Sequence, residues 1–124
     1  MTDKPVRIPG PDHPITIAPQ GGRVIVSVEG RVIADTAEAL TLQEASYPAV
    51  QYIPRKDVDM AALKRTDYAT YCPYKGDCSY YSLTDAGASG TDAVWTYEAP
   101  FEAVAAIKDH LAFYPDRVEI RVEP

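Results

Sequence analysis

Only two cysteines, one tryptophan and two phenylalanines occur among the 124 residues, and 12 basic side chains stand against 18 acidic ones. Two thiols are too few for the disulfide framework of a small secreted domain. A formal net charge of -6 leaves no electrostatic footprint for a phosphate backbone or an anionic bilayer, so neither nucleic acid nor a membrane is an expected partner. The most apolar stretch, Phe101 to Phe113, is interrupted by Lys108, Asp109 and His110 and is too short to cross a bilayer. The opening MTDKPVRIPGPDH has no apolar core of a secretion signal, and the expectation is a soluble, cytoplasmic protein. The chain also holds no P-loop, no dinucleotide-binding glycine pattern and no Ser-His-Asp arrangement that spacing would support.

Tyrosine and proline, by contrast, are plentiful, at nine and 11 residues spread along the whole chain. That distribution fits many short strands bounded by turns. The length suits one domain with a core of its own. Residues 1–12, with Pro5, Pro9, Gly10 and Pro11, read as an extended arm, and residues 13–124 as a single β-rich domain. Within it, PITIAP is a short strand, and RVIVSVEGRVIADT alternates Val24, Val26 and Val28 before a Glu29-Gly30 turn and a return strand. ALTLQEA alternates Leu40 and Leu42 and is read as a strand, as is AVQYIPR up to Pro54. Asp57 is expected to cap a two-turn helix over VDMAALKR. A second helix is expected over FEAVAAIK, with Pro100 in its first turn and Phe101, Val104, Ala105 and Lys108 on one face. AVWTYEAP and RVEIRVE complete the strands, and a polar loop runs from Asp85 to Asp92. The fold class is therefore mainly β, a compact antiparallel domain with two short helices.

The densest chemistry lies in TYCPYKGDCSYYSL, Thr70 to Leu83, two tyrosine-rich strands joined by a tight turn. A turn centred on Lys75 would set Cys72 and Cys78 opposite each other, close enough for a disulfide. Cys72 can equally be a nucleophilic or redox thiol tuned by the Lys75 ammonium, or a small buried apolar side chain. Lys75 either points into water from the hairpin tip or, with Arg55 and Lys56, forms a cationic rim for a phosphate or carboxylate. Tyr52, Tyr74, Tyr80, Trp95 and Tyr97 come from three segments that could make one stacking wall, or simply core. Trp95 and Tyr97, two apart on a strand, face the same side and Thr96 the other. Asp57 is a helix cap or, alternatively, a general base. His13, His110, Cys72 and Cys78 number four but are not grouped as zinc ligands are. No metal or other cofactor is expected, with His110 read as a cap and His13 as an arm contact.

YIPRKDV, CPYKG, VWTYEAP and AFYPDRV, in this order and at these spacings, resemble the family known as domain of unknown function 427, sometimes labelled nucleotidyltransferase-like. The resemblance runs from about His13 to the end. It implies a tent-like β fold shared with small zinc-binding domains and methionine sulfoxide reductases. A nucleotidyltransferase would need a Gly-Ser pair followed by two close acidic residues, and no Gly-Ser dipeptide occurs; the zinc-binding relatives carry C-x-x-C pairs, and here Cys72 and Cys78 are spaced otherwise.

Three functions follow from these readings. The first is binding of a small anionic or planar ligand, nucleotide-like or a carboxylate, in a cleft of Tyr52, Arg55, Tyr74, Lys75, Tyr80, Trp95 and Tyr97, with Lys75 at the mouth. The second is a thiol-dependent or redox enzyme with Cys72 as catalytic thiol and Lys75 and Asp57 in support. The third is a ligand-free interaction module, and a homo-oligomer is compatible with any of them.

Overall fold

The computed structural model describes residues 4–84 and 86–124. Ten strands follow in order: β1 (Ile15–Pro19), β2 (Arg23–Val28), β3 (Arg31–Thr36), β4 (Leu40–Glu44), β5 (Val50–Pro54), β6 (Leu63–Cys72), β7 (Gly76–Leu83), β8 (Val94–Thr96), β9 (His110–Phe113) and β10 (Glu119–Glu123). Every pairing is antiparallel. One sheet has seven strands in the order β1-β4-β5-β9-β8-β7-β6, and the other has three in the order β10-β2-β3. The mainly β, antiparallel expectation is met.

The β2–β3 hairpin turns on Glu29 and Gly30, both at positive φ (51° and 79°), the primed turn whose twist matches paired strands. ALTLQEA is a strand, β4, paired with both β1 and β5.

Neither expected α-helix forms. Over residues 55–62 the chain makes two short 3₁₀ turns, Arg55–Asp57 and Met60–Ala62, and β6 begins at Leu63. Ala61, Ala62, Leu63 and Lys64 favour a helix locally, but their backbone groups are claimed by the sheets. Asp59 N–H donates to the Ile33 carbonyl at 2.8 Å and Thr84 N–H to the Ala62 carbonyl at 3.0 Å, and Leu63 and Lys64 pair with Leu83 and Ser82. Tertiary pairing outweighs propensity here. The cap is Asp59, which accepts from Ala61 N–H, whereas the Asp57 carboxylate accepts from the Thr36 hydroxyl at 2.6 Å. The second segment is a kinked 3₁₀ stretch, Glu102–Ile107, with Val104 at non-helical φ/ψ. Its buried side chains are Val104 and Ile107, three apart as a 3₁₀ turn requires, while Ala105 and Lys108 are exposed. Gly87–Gly90 of the expected polar loop forms a further 3₁₀ turn, and Asp85 lies outside the described residues.

The middle strands of the seven-stranded sheet, β5, β9, β8 and β7, are buried on both faces. Ile53, Tyr81, Leu83, Val94, Leu111 and Phe113 point to one face and pack with Val24, Val26 and Ile33 of the smaller sheet. Their immediate neighbours Tyr52, Tyr80 and Ala112 point to the other and pack with Leu42, Tyr97, Val104 and Ile107. Strands covered on both sides show apolar residues in succession, not in alternation, which accounts for the Tyr52-Ile53, Val94-Trp95 and Leu111-Ala112-Phe113 runs. The second core is the one that positions the site.

Candidate functional site

The site is built outward from the CPYKG turn. Cys72 pairs with Gly76, leaving Pro73, Tyr74 and Lys75 as a three-residue connection. Lys75 N–H donates to the Cys72 carbonyl at 3.2 Å, and the Lys75 carbonyl accepts from Phe101 N–H at 3.0 Å. Gly76 follows at φ +107°, a conformation other residues resist. With its backbone pinned on both sides, Lys75 turns its side chain inward, where it is only 8 % exposed. This corrects the expectation of a lysine at the cavity mouth.

Inside, Lys75 Nζ donates to Glu44 Oε1, and Glu44 Oε2 is 2.7 Å from His13 Nε2. The His13 ring lies flat on Tyr74, centroids 4.1 Å apart and planes within 7°. Burial pushes the Glu44 carboxyl up, but the hydrogen bonds from Lys75 and His13 reverse this and hold it below its ordinary value. Lys75 Nζ is also 6.0 Å from the Tyr97 ring centroid and 3.8 Å from Cys72 Sγ.

This ion pair sits in the wall of a cavity of about 200 Å³ whose other lining residues are Leu42, Tyr47, Pro48, Val50, Tyr52, Tyr80, Trp95, Tyr97 and Tyr114. Tyr80 lies opposite Trp95 in the β7–β8 register and Trp95 opposite Ala112 in β8–β9. The small Ala112 leaves room for Trp95 Nε1–H to reach over it and donate to the Tyr52 hydroxyl at 3.2 Å. The Tyr80 hydroxyl bonds Thr70 Oγ1 at 2.8 Å. Tyr114 tilts against Trp95 at 4.6 Å. Burial pushes the phenols of Tyr52, Tyr80 and Tyr97 well above the ordinary tyrosine value. They are therefore neutral hydrogen-bonding groups near neutral pH. Glu44 and Lys75 are the only charged residues in the lining.

Lys75, Tyr52, Tyr80, Trp95 and Tyr97 thus converge, as the sequence predicts, and Thr96 faces away, bonding the His110 carbonyl at 2.7 Å. Three predicted residues lie elsewhere. Arg55 follows the end of β5 and packs by Tyr81, its Nη1 3.3 Å from the Tyr81 hydroxyl and its Nη2 3.8 Å from Glu98. Tyr81 belongs to the opposite face of the sheet from Tyr80, so Arg55 cannot form a rim with Lys75. Tyr74 lines a neighbouring hollow with Arg7, Asp12 and His13. Asp57 is held by Thr36 and by Lys56 at 3.1 Å, away from Cys72. The disulfide geometry is also corrected: Cys78 pairs with Thr70, not Cys72, and both thiols are free. Burial raises the Cys78 thiol, leaving Cys72 the more accessible of the two.

Glu44, His13, Tyr47 and Tyr114 are the site residues that sequence reasoning did not assign. For Glu44 a signal existed. It continues the Leu40–Leu42 alternation, and a carboxylate on the apolar face of a strand needs a buried partner. His110 does act as a cap, its Nδ1 2.8 Å from the Lys108 carbonyl.

The arm lies along the β6–β7 hairpin. The Tyr71 hydroxyl donates to the Pro5 carbonyl at 2.6 Å, Arg7 N–H to the Pro73 carbonyl at 2.9 Å, and Lys4 Nζ pairs with Asp77 at 2.9 Å. A short Gly10–His13 bridge then presents the imidazole to Glu44.

Architecture and site together define a small antiparallel β domain with a tyrosine-walled, ion-paired cavity in its second core. The family model described as domain of unknown function (DUF427) matches residues 16–124, and the chain belongs to that family. No curated protein matches it. The Asp57 and Asp59 carboxylates, the closest acidic pair for a nucleotidyltransferase reading, are engaged by Thr36, Lys56 and Arg31.

Proposed function

We propose that the protein binds a small planar ligand of one or two rings, with its polar edge on the Lys75–Glu44 pair and its faces among Tyr52, Tyr80, Trp95 and Tyr97. The observation that carries this reading is the buried ion pair in the wall of an otherwise aromatic cavity. Sites for drug-sized ligands run to roughly 300–1,000 Å³, so about 200 Å³ suits a nucleobase, a benzamide or a similar flat molecule. An ammonium beside a carboxylate matches a ligand edge with one acceptor and one donor, such as an amide. A phosphate fits the pair poorly. Lys75 is already paired, Arg55 is on the other face, and Glu44 would repel a dianion. Of the anionic and planar alternatives, the planar one is favoured.

Trp95, the only tryptophan, lines the cavity and provides the assay. Its fluorescence should change on titration with benzamide and with purine and pyrimidine bases, and much less with benzoate or inorganic phosphate. Lys75→Met and Glu44→Gln should each weaken binding at least tenfold. No response to any planar compound overturns the reading.

One contact favours a second reading, a reactive Cys72: the 3.8 Å approach of Lys75 Nζ to its sulfur, since a nearby ammonium stabilises a thiolate. Alkylation by iodoacetamide at neutral pH decides it. Cys72 should react faster than free cysteine, and Lys75→Met should slow it; a rate at or below that of free cysteine removes the idea.

A further inference from the structure

A second hollow, of about 470 Å³, adjoins the cavity. It shares Tyr47, Pro48, Val50 and Trp95 with the first, so the same four residues wall both spaces. Beyond the shared residues it is made by Ala49, Gln51, Phe113, Pro115 and Ile120. Phe113 is buried, Pro115 is exposed, and Ile120 comes from β10 of the smaller sheet. The hollow therefore runs along the seam between the sheets. It has no charged side chain in its lining, whereas the cavity holds its ion pair next door. Charged recognition is thus confined to the cavity, and the polar side chains of the hollow are Gln51 and Tyr47.

We propose that the ligand is amphipathic, a planar head in the tyrosine cavity carrying an aliphatic tail laid into this groove past Trp95. The inference rests on the planar-ligand reading and adds the tail. The wall of four residues common to both spaces is what selects one molecule reaching from one into the other. A charged tail would lose its hydration against Val50, Phe113 and Ile120 with no opposite charge in the lining to replace it, while a hydrocarbon tail gains from burial on the same surface.

The test is a series of para-alkylbenzamides, from unsubstituted to hexyl, titrated against the full chain by Trp95 fluorescence and by calorimetry. Each added methylene should tighten binding about threefold to fourfold until the groove is filled. Pro115→Asp, an exposed position that the core does not depend on, should abolish the gain and leave unsubstituted benzamide unaffected. If benzamide binds and lengthening the chain adds nothing, the tail is refuted and the cavity reading stands. A gain that persists undiminished in Pro115→Asp marks adsorption elsewhere and also refutes the tail. If no member binds, the cavity reading falls and takes the tail with it.

Discussion

Glu44 accepts from Lys75 through one carboxylate oxygen and faces His13 with the other, and acid should undo this arrangement from the carboxylate outward. A carboxyl held below its ordinary value in the folded state adds stability that is complete above its unfolded pKa. That stability is lost as pH falls through the lower folded value. Melting temperature should therefore decline below about pH 4.5, and Glu44→Gln should flatten that decline; an unchanged acid limb would show that the carboxylate is not the group responsible. Lys75 behaves differently from a hairpin-tip lysine, for which a loss of no more than ~1 kcal/mol is expected. Removing one partner of a buried pair strands the other, so Lys75→Met should cost about 3 kcal/mol in urea unfolding. Combining it with Glu44→Leu should recover part of that. A cost under about 1 kcal/mol would mean the pair is effectively solvated.

The β6–β7 hairpin places Lys75 through Gly76. An added Cβ would have space, meeting Ala99 O at 3.5 Å and the Phe101 ring at 3.8 Å, but φ +107° is strained for any side chain. Gly76→Ala should thus destabilise by about 1–3 kcal/mol and, by shifting the turn, weaken planar-ligand binding as well. A stable variant with unchanged affinity would show that the turn does not set the lysine. This hairpin also marks the limit of what could be read from sequence. Tyr80, Trp95 and Tyr97 were legible because strand alternation assigns faces by counting. Arg55 was not, because Pro54 ends β5 and the 3₁₀ turn after it breaks the count. The Cys72–Cys78 pairing failed because the turn centres on Tyr74, not Lys75: a loop of Pro73 to Lys75 moves the register by two residues, so that Cys72 meets Gly76. Both expected helices failed because hydrogen bonding to distant strands is invisible to local propensity.

The molecule's two cores lie on opposite faces of one sheet, and alkaline titration should report on the polar one. Burial raises the Tyr52, Tyr80 and Tyr97 phenols in the folded state. Above the unfolded tyrosine value of ~10 the unfolded chain releases protons that the folded one keeps, so stability falls as pH rises. Tyrosinate absorbance should then show Tyr52, Tyr80 and Tyr97 ionising only with unfolding. Ionisation of these three while the protein remains folded would contradict the burial of the second core.

Adjacent residues such as Leu111 and Ala112, or Val94 and Trp95, serve different cores, so the labour of holding the fold and that of shaping the cavity fall on alternate letters of the same strand. Such an arrangement is evolvable. Substitutions at Tyr52, Ala112 or Trp95 can retune cavity size and polarity while Ile53, Leu111 and Val94 keep the sheets together. A lineage can reshape the cavity without passing through an unfolded ancestor.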